Sequence, residues 1–206
     1  MIWLYRAPFS TNVERVALAL AHKGLEVTSE VISYEDRSPV QEVSGQDLVP
    51  VIDDEGEVVA DSTRILRYLD ERYPDSPLFP SDPTRRAEME IFLGWFNEVW
   101  KSAANTIEWE LESDEPAKDI IDAEAERMQA NLDLFEAMLE GRDFLMGDTL
   151  SAADCAAFPF LKYGGRDPEP DDDELFHRIL VAHQQLGDDH PQLAAWIDRV
   201  DALPRV

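Results

Sequence analysis

The chain is short of cysteine, of basic residues and of long apolar runs, and each shortage excludes something. Cys155 is the single cysteine among 206 residues, so no disulfide forms within the chain. That usage suits a reducing cytoplasm, which is the expected location. No run of apolar residues is long enough to span a bilayer, so no membrane helix is expected. The opening Met1-Ile2-Trp3-Leu4-Tyr5-Arg6 has no basic stretch leading into an apolar one, so no secretory signal is expected. Only 18 Lys and Arg stand against 44 Asp and Glu, a net charge of −26. Phosphate binding needs a basic surface, so nucleic acid and anionic membranes are poor partners. The excess of acid is read as solubilising, its self-repulsion screened by salt. His22, His177, His183 and His190 show no metal-ligand spacing with Cys155 or with one another, and no metal is expected.

What is present is enough for a core: 44% of the residues are hydrophobic. The first 76 residues alternate strand and helix signals. Ile2 to Tyr5 reads as a strand, and Thr11-Asn12-Val13-Glu14 has capping-box spacing ahead of Val13, Val16, Ala17, Leu20 and Ala21 at helical period, stopped by Gly24. Val27 to Ile32 has strand composition, and an irregular stretch or short helix follows. Val49 to Ile52 and Glu57 to Ala60 flank Asp53-Asp54-Glu55-Gly56 as a hairpin. Ser62 opens a helix with Ile65, Leu66, Leu69 and Tyr73 on one side. Prolines 74, 77, 80 and 83 make a stiff linker.

Beyond the linker only helices are expected. Asp82-Pro83 reads as an N-cap followed by proline at the first helical position. Phe92, Trp95, Phe96, Val99 and Trp100 then mark one apolar side. A second helix spans 117–140, with Ile121, Ala125, Met128, Leu132 and Phe135 inward; shorter ones cover 152–163, 174–186 and 191–202. Asp167 to Asp173 is an acidic, proline-containing loop. A strand-and-helix domain followed by a helical one is the fold class.

Three stretches resemble the cytosolic glutathione transferase family across almost the whole chain. Ala7-Pro8-Phe9-Ser10-Thr11-Asn12-Val13-Glu14-Arg15-Val16 resembles its active-site turn, where a helix amino end favours a thiolate; plain helix capping by Ser10 or Thr11 is the alternative. Leu48-Val49-Pro50-Val51-Ile52 followed by Val59-Ala60-Asp61-Ser62 resembles its binding pair, with Asp61 eleven positions after Pro50. Gly147-Asp148-Thr149-Leu150-Ser151-Ala152-Ala153-Asp154 resembles the helix-starting signature of its second domain; Ser151 and Asp154 are read there as structural, and Cys155 as a buried, inert thiol.

The resemblance implies a thioredoxin-like glutathione-binding domain at 1–76, a linker at 77–86 and an all-helical domain at 87–206. It implies a cis Val49-Pro50 bond that turns the Val49 backbone toward glutathione's cysteinyl unit, with Asp61 meeting the ammonium and Ser62 the carboxylate of the γ-glutamyl end. It also implies a homodimer, an electrophilic small-molecule co-substrate and a detoxifying role. The usual reactive position of the turn is Ala7, which has no donor. Ser10 ranks first as the group that favours the thiolate, Tyr5 second and backbone amides near Ser10 or Thr11 third. No cysteine lies in the turn, so disulfide reductase chemistry is not expected.

At glutathione's glycine end Leu48 stands where many members carry a basic residue; Gln46 and Arg37 are the replacements considered. Arg6, Arg15, Arg64 and Arg67 lie nearby in sequence, able to focus the field but read as solvated surface residues. Phe9, Trp95, Trp100, Asn105 and Trp109 are candidates for a co-substrate pocket, expected between the domains. Two alternatives to a transferase stay open: a non-catalytic regulatory or protein-binding module of the same fold, and a glutathione-dependent isomerase or dehalogenase.

Overall fold

A computed structural model describes all residues, Met1–Val206. The elements run β1 (Ile2–Arg6), α1 (Thr11–His22), β2 (Val27–Val31), α2 (Ser38–Ser44), β3 (Val51–Asp54), β4 (Glu57–Ala60) and α3 (Ser62–Arg72), then α4 (Pro83–Trp95), α5 (Lys101–Glu112), α6 (Lys118–Met138), α7 (Ala152–Leu161), α8 (Leu175–His183) and α9 (Pro191–Asp201). This is the glutathione-transferase-type plan expected from the sequence: a mixed four-stranded sheet with helices, then helices alone. Two compact units form. One holds Met1–Arg86 with Leu150–Pro159 and Leu203–Val206; the other holds Ala87–Thr149 with Phe160–Ala202.

In the first unit the sheet order is β2-β1-β3-β4, with β1 and β2 parallel and the other pairs antiparallel. A parallel pair needs a crossover, and α1 supplies it. Pleating sends Leu4 and Ile52 into the main core, where both are fully buried, while Tyr5 lies on the face of Ile32, Val40 and Val51. The β3–β4 hairpin closes through Glu55 and Gly56, both at positive φ, with Asp53 Oδ1 accepting from Gly56 N–H at 2.7 Å. Two positive-φ residues match the right-handed strand twist.

Two local expectations shift and one alternative is settled. β3 begins at Val51 rather than Val49, because Pro50 has no N–H to give to a ladder. Of Ser10 and Thr11, the cap of α1 is Ser10: it is extended and its Oγ accepts from Val13 N–H at 3.3 Å, while Thr11 is already helical. The cap of α3 is Asp61 rather than Ser62, Asp61 Oδ1 accepting from Arg64 N–H at 2.9 Å.

The proline-rich stretch after α3 is held by two charges. Lys23 Nζ donates to the carbonyls of Tyr73 (2.7 Å), Asp75 (3.3 Å) and Ser76 (3.2 Å). Asp70 Oδ1 accepts from Leu78 N–H at 2.7 Å and Phe79 N–H at 3.4 Å, and its other oxygen faces Arg86 at 3.7 Å. The Leu78 carbonyl in turn accepts from Ala152 N–H at the start of α7, whose residues 152–161 are all buried. Residues 77–86, read as a linker, thus belong to the first unit as far as Arg86.

In the second unit α4 and α5 are joined by a π-helical turn, Phe96–Trp100, closed by Lys101 N–H on the Phe96 carbonyl. That five-residue spacing changes the face of the helix. Phe92, Phe96 and Trp100 point inward against Phe135, whereas Val99, expected on the apolar side, is 48% exposed. Asp172, inside the stretch read as an acidic loop, is buried with Oδ2 2.6 Å from His177 Nδ1, whose ring stacks on Tyr163. Glu136 on α6 accepts from Gln192 and Leu193 N–H, satisfying the amino end of α9. No helix is long and apolar enough to cross a membrane.

Replacing Asp70 leaves the Leu78 N–H buried without its acceptor and Lys23 without its carboxylate. Asp70→Ala is expected to lower the unfolding free energy by roughly 2–4 kcal/mol in urea. Asp114→Ala, on the exposed surface, should stay within about 0.5 kcal/mol.

Candidate functional site

The turn between β1 and α1 brings the amino end of a helix to the end of a sheet. Ala7 is buried and presents no polar side-chain atom. The Pro8 carbonyl accepts from the Tyr34 hydroxyl at 2.8 Å, and Phe9, half-buried, takes a left-handed φ of 59°. Ser10 follows. Its Oγ spends one lone pair on the Val13 N–H and keeps its own proton to donate, at the positive end of α1. Tyr5 is held differently. Its ring packs on the cluster of Ile32, Val40 and Val51, and burial, then the Asp53 and Glu30 carboxylates, push its phenol above the ordinary range. That phenol stays protonated, beside negative charges that also disfavour a thiolate.

The Val49–Pro50 bond is cis. Val49 precedes β3, packs on the same cluster as Tyr5, and neither its N–H nor its C=O pairs within the chain. The loop before it is closed by Gln46: Oε1 accepts from Leu48 N–H at 2.6 Å, and Nε2 donates to the Leu48 carbonyl at 2.7 Å and Ser44 Oγ at 3.1 Å. Its amide is therefore engaged in shaping the approach to Val49. Leu48 itself is 76% exposed. Arg37 lies over the Tyr34 ring at 4.6 Å, on the loop whose Tyr34 meets the turn at Pro8.

At the head of α3, Asp61 has φ 75° and Ser62 is buried. Ser62 Oγ accepts from Arg15 Nη1 at 3.3 Å. Arg15, read from the sequence as a surface residue, is only 1% exposed. Burial pulls its pKa down to about 9, while Asp61 and then Cys155 act to raise it, so it is still charged at neutral pH. The sequence carried one signal for this: after Arg15, Val16-Ala17-Leu18-Ala19-Leu20-Ala21 leaves α1 no polar face toward water. On α7, Ser151 N–H and Oγ both donate to Asp154, and burial pushes the Cys155 thiol far above its usual range.

The structure thus collects Ser10, the Val49–Pro50 pair, Asp61 and Ser62 on the first unit, together with Arg15, Tyr34 and Phe9. The remaining pocket candidates lie in the second unit. Trp100 is 1% exposed and stacked on Phe96 at 4.5 Å, Trp95 and Asn105 are half-buried, and Trp109 is 70% exposed. No group of three or more His, Cys, Asp or Glu side chains converges in metal-binding geometry.

The Asp61 cap is testable by stability alone. Asp61→Ala removes the capping oxygen and places Ala at positive φ, so it should cost about 1–2 kcal/mol in urea. Asp61→Asn keeps an oxygen acceptor and tolerates that φ, and should stay within about 0.5 kcal/mol. Equal losses would mean that the charge beside Arg15, not the cap, is what matters there.

Comparison with known proteins gives the family. The model of the glutathione S-transferase N-terminal domain matches residues 4–77, and that of the C-terminal domain matches residues 88–204. Glutathione S-transferase GstB of Escherichia coli (strain K12) is 31% identical over 175 residues, covering 78% of this chain and 82% of its own. Maleylacetoacetate isomerase of Pseudomonas aeruginosa is 42% identical over 91 residues, 41% of this chain and 43% of its own. Among the first curated relatives the share of their own length that is matched runs from 35% to 90%. The crystal structure of the beta-etherase LigF from Sphingobium is similar in fold, with a TM-score of 0.79 at 23% identity over 98% of this chain and 95% of that one. The chain belongs to the glutathione S-transferase family.

Proposed function

We propose that this protein binds glutathione on its first unit and activates the thiol for attack on an electrophilic small molecule. The observation that carries the reading is the pairing of an open Val49 backbone with the Asp61–Ser62 head of α3, the latter backed by a buried guanidinium. Val49 N–H and C=O are disposed to pair with the cysteinyl unit as an added strand would. The Ser62 hydroxyl, at the amino end of α3, suits a carboxylate, and the second oxygen of Asp61 suits an ammonium. Gln46 shapes the loop before Val49, and Arg37 is the cation on hand for the glycine end.

Ser10 then donates its proton as a hydrogen bond to the thiolate, at a helix end that already favours negative charge. The thiol loses its proton to solvent, sulfur bonds to the electrophilic carbon, and the leaving group departs with the bonding pair. Tyr5 ranks behind Ser10 because Asp53 and Glu30 stand beside it. On the first unit, Phe9 is the residue this proposal offers to the co-substrate. Work as a homodimer in the cytoplasm is part of it, supported by the family and by the single, buried Cys155.

Two other readings have an observation each. Ala7 at the turn's usual reactive position favours a non-catalytic binding module. The likeness to the isomerase over 91 residues favours chemistry in which glutathione adds and is released.

Turnover of an aromatic halide separates these. Ser10→Ala is expected to lower kcat/KM by about 10- to 100-fold, and Tyr5→Phe by less than about threefold. Full activity in both variants would move the role to backbone amides. An inactive parent protein that still binds glutathione would favour one of the other two readings.

A further inference from the structure

Residues 203–206 return to the first unit and grip it on both sides of the reactive turn. Arg6, the last residue of β1, donates to the Val206 carbonyl at 2.9 Å. Arg205 donates to Glu14 Oε1 from Nη2 at 3.1 Å and from Nε at 3.3 Å, and its guanidinium lies 5.0 Å over the Phe158 ring. Both side chains are largely out of water, 22% and 19% exposed.

Glu14 sits in the first turn of α1, four residues past Ser10, hence about 6 Å along the helix axis from the cap. A carboxylate there stabilises the empty helix but repels a second anion at the same end. We propose that Arg205 is a positioning residue for the reaction: it cancels the Glu14 charge so that a thiolate can form at the head of α1. The inference rests on the glutathione reading only for the identity of that thiolate.

The other charged groups around the helix head are few. Arg6 comes from β1, the buried Arg15 of α1 feels the exposed Asp61 carboxylate that caps α3, and Arg64 is exposed on α3. Asp154 is turned to Ser151 on α7, with Cys155 next to it; Arg37 stands over Tyr34; Asp53 and Glu30 lie by Tyr5. Among the hydrogen bonds of Glu14, those from Arg205 come from 191 positions away in sequence, so a change at either residue alters the turn's field without touching its backbone.

The test reads the field with a thiol placed at the cap. In a Ser10→Cys background, the pH dependence of alkylation by iodoacetamide gives the pKa of the introduced thiol; Cys155 is buried and does not compete. Adding Arg205→Gln should raise that pKa by about 0.5 to 1, and adding Glu14→Gln as well should return it to the starting value. Glu14→Gln alone should lower it, which keeps the test usable if Arg205→Gln folds poorly. High salt should shrink each shift. An unchanged pKa in Arg205→Gln, or a rise that Glu14→Gln does not reverse, overturns the proposal. With Ser10 intact, the ultraviolet thiolate absorbance of bound glutathione should rise at higher pH in Arg205→Gln. If glutathione does not bind while the introduced thiol shifts as stated, the charge cancellation stands and the glutathione reading falls.

Discussion

A buried arginine ties the two helices of the candidate site together. Arg15 leaves α1 and reaches Ser62 at the head of α3, with almost no exposure to water. A charge in that position persists only with partners, and here they are the Ser62 hydroxyl and the nearby Asp61 carboxylate. The consequence is geometric as well as electrostatic. The cap of α3 cannot drift from α1 without stranding the guanidinium, so the heads of α1 and α3 are held in one frame. Positive potential from Arg15 reaches the head of α3 in a protein that otherwise carries a net charge of −26.

That contrast bears on how an anionic tripeptide is accepted. A strongly acidic surface slows the approach of anions, and screening by salt relieves it. The amino ends of α1 and α3, with the buried Arg15 on Ser62 and Arg6 at the end of β1, make a local positive contribution against that background. Its effect is short-ranged and therefore suited to holding a ligand rather than to steering one from afar.

Much of the fold was legible because it is written in short range. The hairpin Asp53–Gly56 is announced by a glycine after three acidic turn residues, and the helices by their apolar period. The Val-Pro and Asp-Ser pair, with Asp61 eleven positions after Pro50, carried the strongest part of the family resemblance. What escaped was decided by partners distant in sequence or by backbone angles. The cap of α3 falls one residue earlier than read, because Asp61, not Ser62, adopts non-helical angles, and of the two caps open for α1 the backbone selects Ser10. Val99 turned outward because a π-helical turn is invisible to a fixed 3.6-residue period. Arg15 looked like a surface residue until Ser62, 47 positions away, was placed against it. The tail at 203–206 gave no sign of returning to the first helix.

We propose that Val49, Asp61 and Ser62 form a glutathione site. Isothermal calorimetry with glutathione, at low and at high salt, measures it directly. One site per chain is expected, with affinity that improves as salt screens the acidic surface and falls when Ser62 is replaced by alanine. Absence of detectable heat at millimolar glutathione under both conditions would contradict it.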